Sequence, residues 1–587
     1  MRDDARRGGR RRVDDRPTGG RQRRRPVGRA ATRLLIDRRV RLLRVVFVIA
    51  FVAIGGKAIA LSTAEGNLAR IARSQQVRQI TIPAPRGAIL DRSGEDLAIG
   101  QERRTVYATP YMLKEHDPLS VAAQLADALK LTRRERRELE RRLSDPESGF
   151  AYVARQAEID RAEAALALKI PGIGCYAEEK RVYPMKTVAG QLLGFVGTEH
   201  VGLAGLEKSY DEQLAGRAGG QVVVQDPVGR SLKTISASQP VPGGNVRLTI
   251  DRAIQFMAER VLADTVRKFS AKGGTAIVMD PTSGEIYAMA SAPLIDANKF
   301  GDNLQAQRNR ALTDTYEPGS TFKAITVAGA LSEGLVTPST SFLLPGQLKV
   351  GDRIIHESHP RGTQRFTVRR IVAESSNIGA VTLGIKLGKQ RLMKWIRAFG
   401  FGRPTGIDFP GEVAGFVLPA DQWWVSTMGN VPMGQGIAVT PLQMAQAYAA
   451  IANDGVAVKP HVTMQIGAKT FGSAGQSRIV SSKVARQMRD MLSDVVSDTM
   501  GTGTAAQIAG YTVAGKTGTA QKPLPNGQGY SSYNYVASFV GMVPADDPQL
   551  VVLVMVDEPH PIWGGVVAAP AFSDIAQFAL QRLEIEP

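Results

Sequence analysis

Hydrophobic and polar positions divide the 587-residue chain into stretches of different period. The first residues are polar, with no apolar periodicity before Leu34; from Val45 to Ala64 the chain is apolar, and Lys57 is the only charge. Twenty residues of helix suffice to cross a bilayer core. The uninterrupted run ends at Gly56, after 12 residues, so a cleaved export signal ending near Ala58-Ile59-Ala60 competes with an anchor. Lys57 can snorkel to an interface and the apolar character resumes behind it, which favours the anchor.

Between residues 65 and 250, short β-prone runs alternate with charged helical stretches such as Ser120 to Arg142. Gly243-Gly244 and the following NVRLTID mark a boundary, and Asp251 opens a helix predicted to run to about Lys268. Two β-prone runs, GGTAIVMD and EIYAMAS, are joined by Pro281-Thr282-Ser283-Gly284 and predict a hairpin. Helical and loop segments dominate until Tyr511. Three more β-prone runs follow, YTVAGKTGTA, YVASFVGMV and QLVVLVMVDEP, and then a helix from about Ala569 to Leu583. Strands at both ends of a domain, with helices between, predict an α/β fold whose single sheet is assembled from both ends and flanked by helices.

Charge sharpens the N-terminal reading. Residues 1–44 hold 17 Arg against 5 Asp, a net +12 of the +19 on the whole chain. Such a tail is predicted to be disordered. Basic residues gather on the cytoplasmic side of membrane helices, so tail and apolar run together read as a signal anchor with the bulk of the chain outside; binding of nucleic acid is the weaker reading. The lone Cys175 forms no internal disulfide and fits an exported chain that avoids thiols. The predicted divisions are a basic tail at 1–44, an anchor at 45–64, a structural module at 65–250 and a catalytic domain at 251–587.

Three motifs carry chemistry. Ser320-Thr321-Phe322-Lys323 is the only Ser-x-x-Lys in the chain. Glu317-Pro318-Gly319 precedes it, and Thr321 to Leu331 reads as a buried helix, which places Ser320 in a first turn where free NH groups and the helix dipole favour negative charge. Lys323, one turn on, can take the serine proton only if neutral, which requires burial or a neighbouring cation; Lys516 is a candidate for that cation. Ser375-Ser376-Asn377 lies between two helical runs, where a hydroxyl can relay a proton and the Asn377 amide can hold a carbonyl. A second Ser-x-Asn, at Ser532, falls outside the order of the three motifs. Lys516-Thr517-Gly518-Thr519 ends a β-prone run; Gly518 permits close backbone approach, so an extended peptide can pair here, and Lys516, Thr517 and Thr519 can hold its carboxylate. The backbone NH groups of Ser320 and Thr519 are candidates for an oxyanion hole.

Two other patterns point elsewhere. Gly510 to Thr517 spells G-x-x-x-x-G-K-[ST], the phosphate loop, but its interior is strand-like, and Gly518-Thr519-Ala520-Gln521-Lys522-Pro523-Leu524-Pro525 cannot start a helix. Gly501-Thr502-Gly503-Thr504 reads as a flexible loop near the site. His356-Glu357-Ser358-His359 lacks a third metal ligand and precedes Pro360, so it reads as a polar loop; no metal and no cofactor are expected.

Nearly end to end, the chain resembles the class B penicillin-binding proteins. Arg86-Gly87-Ala88-Ile89-Leu90-Asp91-Arg92-Ser93-Gly94 is similar to the family's RGxIxDRxG signature. Arg181-Val182-Tyr183-Pro184, Leu193 to Gly197, and Gly205-Leu206-Glu207 with Tyr210 resemble its pedestal motifs; Met433-Gly434-Gln435-Gly436 and Thr440 to Gln443 resemble a further catalytic-domain signature. The resemblance implies D,D-transpeptidation of peptidoglycan stem peptides, with Ser320 as nucleophile, Lys323 as base, Ser375 and Lys516 as proton relay and Asn377 as substrate holder. It also implies acylation by β-lactams. Ser376 departs from the Asp of the Ser-Asp-Asn form, which puts in doubt only a direct role for that side chain. RNRALTDTYEPGSTFK and the short C-terminus resemble septal, FtsI-like members, while elongation-type and sporulation-type relatives share much of this. No glycosyltransferase motif lies between the anchor and Gly273, so polymerisation would fall to an FtsW-type membrane partner. A β-lactamase or a non-catalytic sensor or scaffold is the competing class.

Overall fold

The computed structural model describes residues 40–62, 77–225, 231–472, 475–524, 526 and 529–587. The predicted basic tail up to residue 39, and Thr63 and Ala64 of the predicted anchor, lie outside these. The described chain forms two units, one of them small and drawn from residues up to Ile80 and from Gln221–Ala237.

The small unit contains the apolar helix Val40–Ser62, whose mean hydropathy reaches 2.3. Among the described residues it takes in Val40 to Arg44, ahead of the predicted span. Val77–Ile82, Gly219–Gln225 and Ser231–Ser238 form a three-stranded sheet.

The large unit begins with the module predicted between 65 and 250. Its long strand Asp96–Ala108 pairs antiparallel with both Ala151–Ala157 and Ile173–Val182. The stretch Ser120 to Arg142 is two helices, Pro118–Leu129 and Arg133–Leu143. Lys130 turns left-handed at φ 52, and Thr132 with Glu135 forms a capping box that starts the second helix. Deeper in the module the signature residues converge on one buried carboxylate. Glu207, fully buried, takes Arg86 Nε at 2.8 Å and Arg181 Nε at 2.6 Å, while Arg86 Nη1 reaches Asp211 at 2.7 Å.

A shared sheet crosses the boundary predicted near Gly243-Gly244. Val246–Leu248 pairs parallel with Ile89–Leu90 of the module and antiparallel with Thr463–Ile466 of the C-terminal domain. Ile89, Leu97, Leu206, Val246 and Leu248 accordingly join the same apolar core as Ile325, Val381 and Leu442.

In the C-terminal domain the predicted hairpin and late strands form one five-stranded sheet. We label them β1 (Gly273–Met279), β2 (Ile286–Ala292), β3 (Ala514–Pro523), β4 (Tyr530–Val543) and β5 (Leu550–Asp557). The order β2-β1-β5-β4-β3 joins the two ends of the domain through the β1–β5 pairing, and all pairings are antiparallel. Helix α1 (Arg252–Lys268) is capped by Asp251, whose side chain accepts from the Ala253 and Ile254 amides. Helices α2 (Lys323–Ser332) and α3 (Asn377–Leu387) lie in the insertion, and α4 (Gly564–Arg582) closes the chain. The last helix begins five residues before the predicted Ala569 and carries Pro570 inside its first turns. Residues alternating along β4 and β5 face two cores. Val540 and Leu553 face the side of α2, while Phe539 and Val554 meet α4.

β3 runs as strand from Ala514 through Pro523, taking in the Gly515-Lys516-Thr517 end of the phosphate-loop pattern. A strand presents its NH groups alternately and opens no helix, so the nucleotide reading falls.

Candidate active site

Three elements meet at the edge of the sheet. Gly319–Phe322 is a 3₁₀ turn and the α-helix proper starts only at Lys323, so the predicted first turn that holds Ser320 is 3₁₀ rather than α-helical. In 3₁₀ geometry side chains at i and i+3 eclipse, which aligns Ser320 with Lys323 more closely than an α-turn would. Ser320 is partly exposed, whereas Lys323 is 1% exposed.

Ser376 caps α3, its hydroxyl accepting from the Gly379 amide at 2.9 Å. The loop before it turns inward at Ser375, with φ 58. Lys323 Nζ donates to the Ser375 carbonyl at 2.5 Å, to Asn377 Oδ1 at 2.6 Å and to Ser375 Oγ at 3.2 Å. Burial pushes the Lys323 ammonium down to about 7, against a smaller upward pull from Glu357. The ordinary value is near 10.4, so about half of Lys323 is neutral near pH 7.

Lys516 is fully buried on β3, with Thr502 Oγ1 at 3.5 Å and Thr517 Oγ1 at 3.4 Å. Burial holds its pKa well below the usual lysine value, and proximity to Lys323 lowers it further. Burial, rather than a charged Lys516, is therefore the leading cause of the neutral Lys323. A substrate carboxylate would return the charge to Lys516 by supplying a counter-ion.

Gly518 is required by contact. A Cβ there would lie 2.3 Å from Ser538 Oγ, 3.1 Å from Thr321 Cγ2 and 3.2 Å from the Pro318 carbonyl. The Gly319–Phe322 turn thus packs directly on β3. Thr517 Oγ1 and Thr502 Oγ1 are 2.7 Å apart, which brings the predicted Gly501–Thr504 loop to the site. Thr519 Oγ1 accepts from the Gly564 amide at 3.1 Å, at the start of α4. On its other side the turn is held by the Gly434 loop, whose carbonyl accepts from the Gly319 amide at 3.0 Å. Thr326 Oγ1 donates to the Pro432 carbonyl at 2.8 Å.

Two carboxyls escaped the sequence reading. Glu357, in the segment taken for a polar loop, accepts from Ser376 Oγ at 2.6 Å and from the Asn377 amide at 2.7 Å, and pairs with Arg361. Its carboxylate reaches Ser376 and Asn377 from some 20 residues upstream, where no local pattern signals it. His356 contributes its carbonyl, accepting from Asn377 Nδ2 at 2.9 Å, and the His359 ring stacks 6.1 Å from that of Trp563. Glu317 accepts from the Gly436 amide at 2.9 Å and from the Tyr530 hydroxyl at 3.1 Å, and burial raises its pKa to about 7.

A serine on a turn packed against an edge strand, a buried lysine with a lowered pKa and a second lysine on that strand are the parts a serine acyl-transfer centre needs. The penicillin binding protein transpeptidase domain matches residues 274–577, and the penicillin-binding protein dimerisation domain matches 81–248. The chain is 34% identical over 552 residues to the probable peptidoglycan D,D-transpeptidase PbpC of Pseudomonas aeruginosa, covering 93% of this chain and 95% of that protein. It is 32% identical to the peptidoglycan D,D-transpeptidase FtsI of Escherichia coli, covering 88% of this chain and 86% of that one. The crystal structure of penicillin binding protein 3 from Mycobacterium tuberculosis, complexed with aztreonam, matches with a TM-score of 0.68 at 30% identity, over 86% of this chain and 98% of that one. This chain belongs to the class B penicillin-binding proteins.

Proposed function

We propose that the protein is a membrane-anchored serine D,D-transpeptidase that cross-links peptidoglycan stem peptides in septal wall synthesis. The observation that carries this reading is the buried Lys323, held by Ser375 and Asn377 with its pKa near 7. Neutral Lys323 accepts the Ser320 proton as Oγ attacks the carbonyl of the penultimate D-Ala. The amides of Ser320 and Thr519 take the developing oxyanion. The C–N bond then breaks, the proton passes through Ser375 to the departing amine, and D-Ala leaves an ester on Ser320. Lys516, Thr517 and Thr519 hold its carboxylate, Gly518 allows the strand to approach, and Asn377 holds the peptide. An amine from a neighbouring strand attacks the ester, loses its proton to the same relay and frees Ser320. β-Lactams acylate Ser320 by the first half of this route.

The apolar helix supports a single-pass anchor with the catalytic domain outside the cytoplasmic membrane, and an FtsW-type glycosyltransferase is the expected membrane partner. Relatives of matching similarity include stage V sporulation protein D of Bacillus subtilis, 33% identical, so the septal role needs its own test. A fluorescent fusion should gather at mid-cell during division; uniform placement along the wall would point to elongation. Catalysis is tested by release of D-Ala from a stem pentapeptide. We expect release that depends on added amine and is lost in Ser320→Ala. Rapid loss of a penicillin label would instead favour a β-lactamase, and a stable label without release would favour a sensor.

A further inference from the structure

The module carries a groove with an unpaired strand edge in its wall. Strand Ala151–Ala157 ends its sheet: it pairs with Asp96–Ala108 along one edge and, among the described residues, with no strand along the other. Tyr152 to Ala157 run consecutively through the wall of a cavity of about 840 Å³. The Tyr152 carbonyl accepts from Arg142 Nη1 at 3.1 Å, so at that residue the free edge meets an exposed side chain instead of another backbone.

The groove is cationic. Seven Lys and Arg side chains line it against Glu135, Glu138 and Glu158. Arg103 and Arg161 share Glu158, at 3.7 and 3.0 Å, and Arg142 shares Glu138 with Arg141 from outside the wall. Arg155 is held by Glu178 and Glu199, each at 2.5 Å, which also lie outside it. With those three outer groups counted, eight cations face five carboxylates. Glu135 is already engaged, accepting from the Thr132 amide and hydroxyl at 2.7 Å. Lys130, Arg134 and Lys180 are exposed and pair with no carboxylate among the described residues.

Cations along an edge strand keep like edges apart, so a second copy of this chain is the wrong occupant. An acidic extended segment suits both features. Its amides and carbonyls join the free edge, and carboxylates on alternate residues reach the cations left without partners. A phosphate polymer satisfies the cations but offers no donors to the edge carbonyls.

We propose that this groove binds an extended acidic segment of a partner protein, which adds as a strand beside Ala151–Ala157. No residue of the groove belongs to the acyl-transfer site, so the proposal stands apart from the transpeptidase reading.

The test is fluorescence anisotropy on the full-length protein in detergent, with labelled probes. These are an octapeptide of alternating Glu and Thr, the same peptide with every backbone amide N-methylated, and inorganic polyphosphate of matching charge. We expect the plain peptide to bind saturably and the other two about tenfold more weakly, because neither can complete the strand pairing. The Lys130→Glu/Arg134→Glu/Lys180→Glu variant should bind the plain peptide about tenfold more weakly than wild type, while its rate of penicillin labelling stays unchanged. The comparison among probes uses the wild type alone and stands even if the variant misfolds. Equal binding of the N-methylated peptide, or tighter binding of polyphosphate, overturns strand addition in favour of a general anion site. Absence of binding by every probe, or undiminished binding in the variant, overturns the groove as a docking site.

Discussion

At the scale of single residues the proposed chemistry turns on Lys323. Its pKa is lowered to about 7 by burial, so the neutral, base-competent form grows as pH rises. Acylation of Ser320 by a penicillin should increase roughly tenfold per pH unit below about 7 and level off above it, while Lys323→Ala should lose about 10²–10⁴-fold. Stopped-flow or quenched labelling from pH 5 to 9 measures this; a flat profile would remove Lys323 as base. The serine and both lysines were legible in the sequence because their motifs are local. Glu357 was not, because its partners Ser376 and Asn377 lie far along the chain and only the folded hairpin before α3 brings it to them. The motif spacing requires a neutral Lys323 but does not choose between burial and a neighbouring cation as the cause, since burial is a property of the packed site and no spacing encodes it.

Among the elements, the nucleophile turn depends on what presses against it. Gly434 has φ 85, and a Cβ there would meet the Gly319 carbonyl oxygen at 2.1 Å and the Gly319 nitrogen at 2.8 Å. Both obstacles are backbone, so relief requires moving the turn. Gly434→Ala should slow acylation by about 100-fold, since small misplacements of a nucleophile cost that much; rates within about threefold of wild type would show that the turn tolerates the shift. The sheet itself was readable because β1 and β2 carry a turn sequence between two β-prone runs and β3 to β5 are β-prone runs of their own. Helix limits were less so. Pro570 marks a place where a helix is expected to start, yet α4 begins at Gly564, where glycine lies close against the β3 backbone: a Cβ on Gly564 would be 2.3 Å from the Gly518 carbonyl oxygen.

For the whole molecule, the module and the C-terminal domain share a sheet and a core, so what the sequence divided at residue 250 is mechanically continuous. The buried Arg86–Glu207–Arg181 cluster lies beside that junction. Breaking a buried pair leaves an uncompensated charge, at about 3–5 kcal/mol. Glu207→Gln should therefore lower the melting temperature measurably, and should do so for the C-terminal domain as well if the two parts unfold together. Two separate transitions, with only the first shifted, would show that the junction is weak. The central claim is that Ser320, and no other serine, forms the acyl-enzyme. Mass spectrometry of the tryptic peptides Ala311–Lys323, which holds Ser320, and Ile371–Lys386, which holds Ser375, after penicillin treatment tests this. One stable adduct on Ser320 is expected in the wild type and none in Ser320→Ala; an adduct on Ser375, or one that persists in the variant, would overturn the assignment.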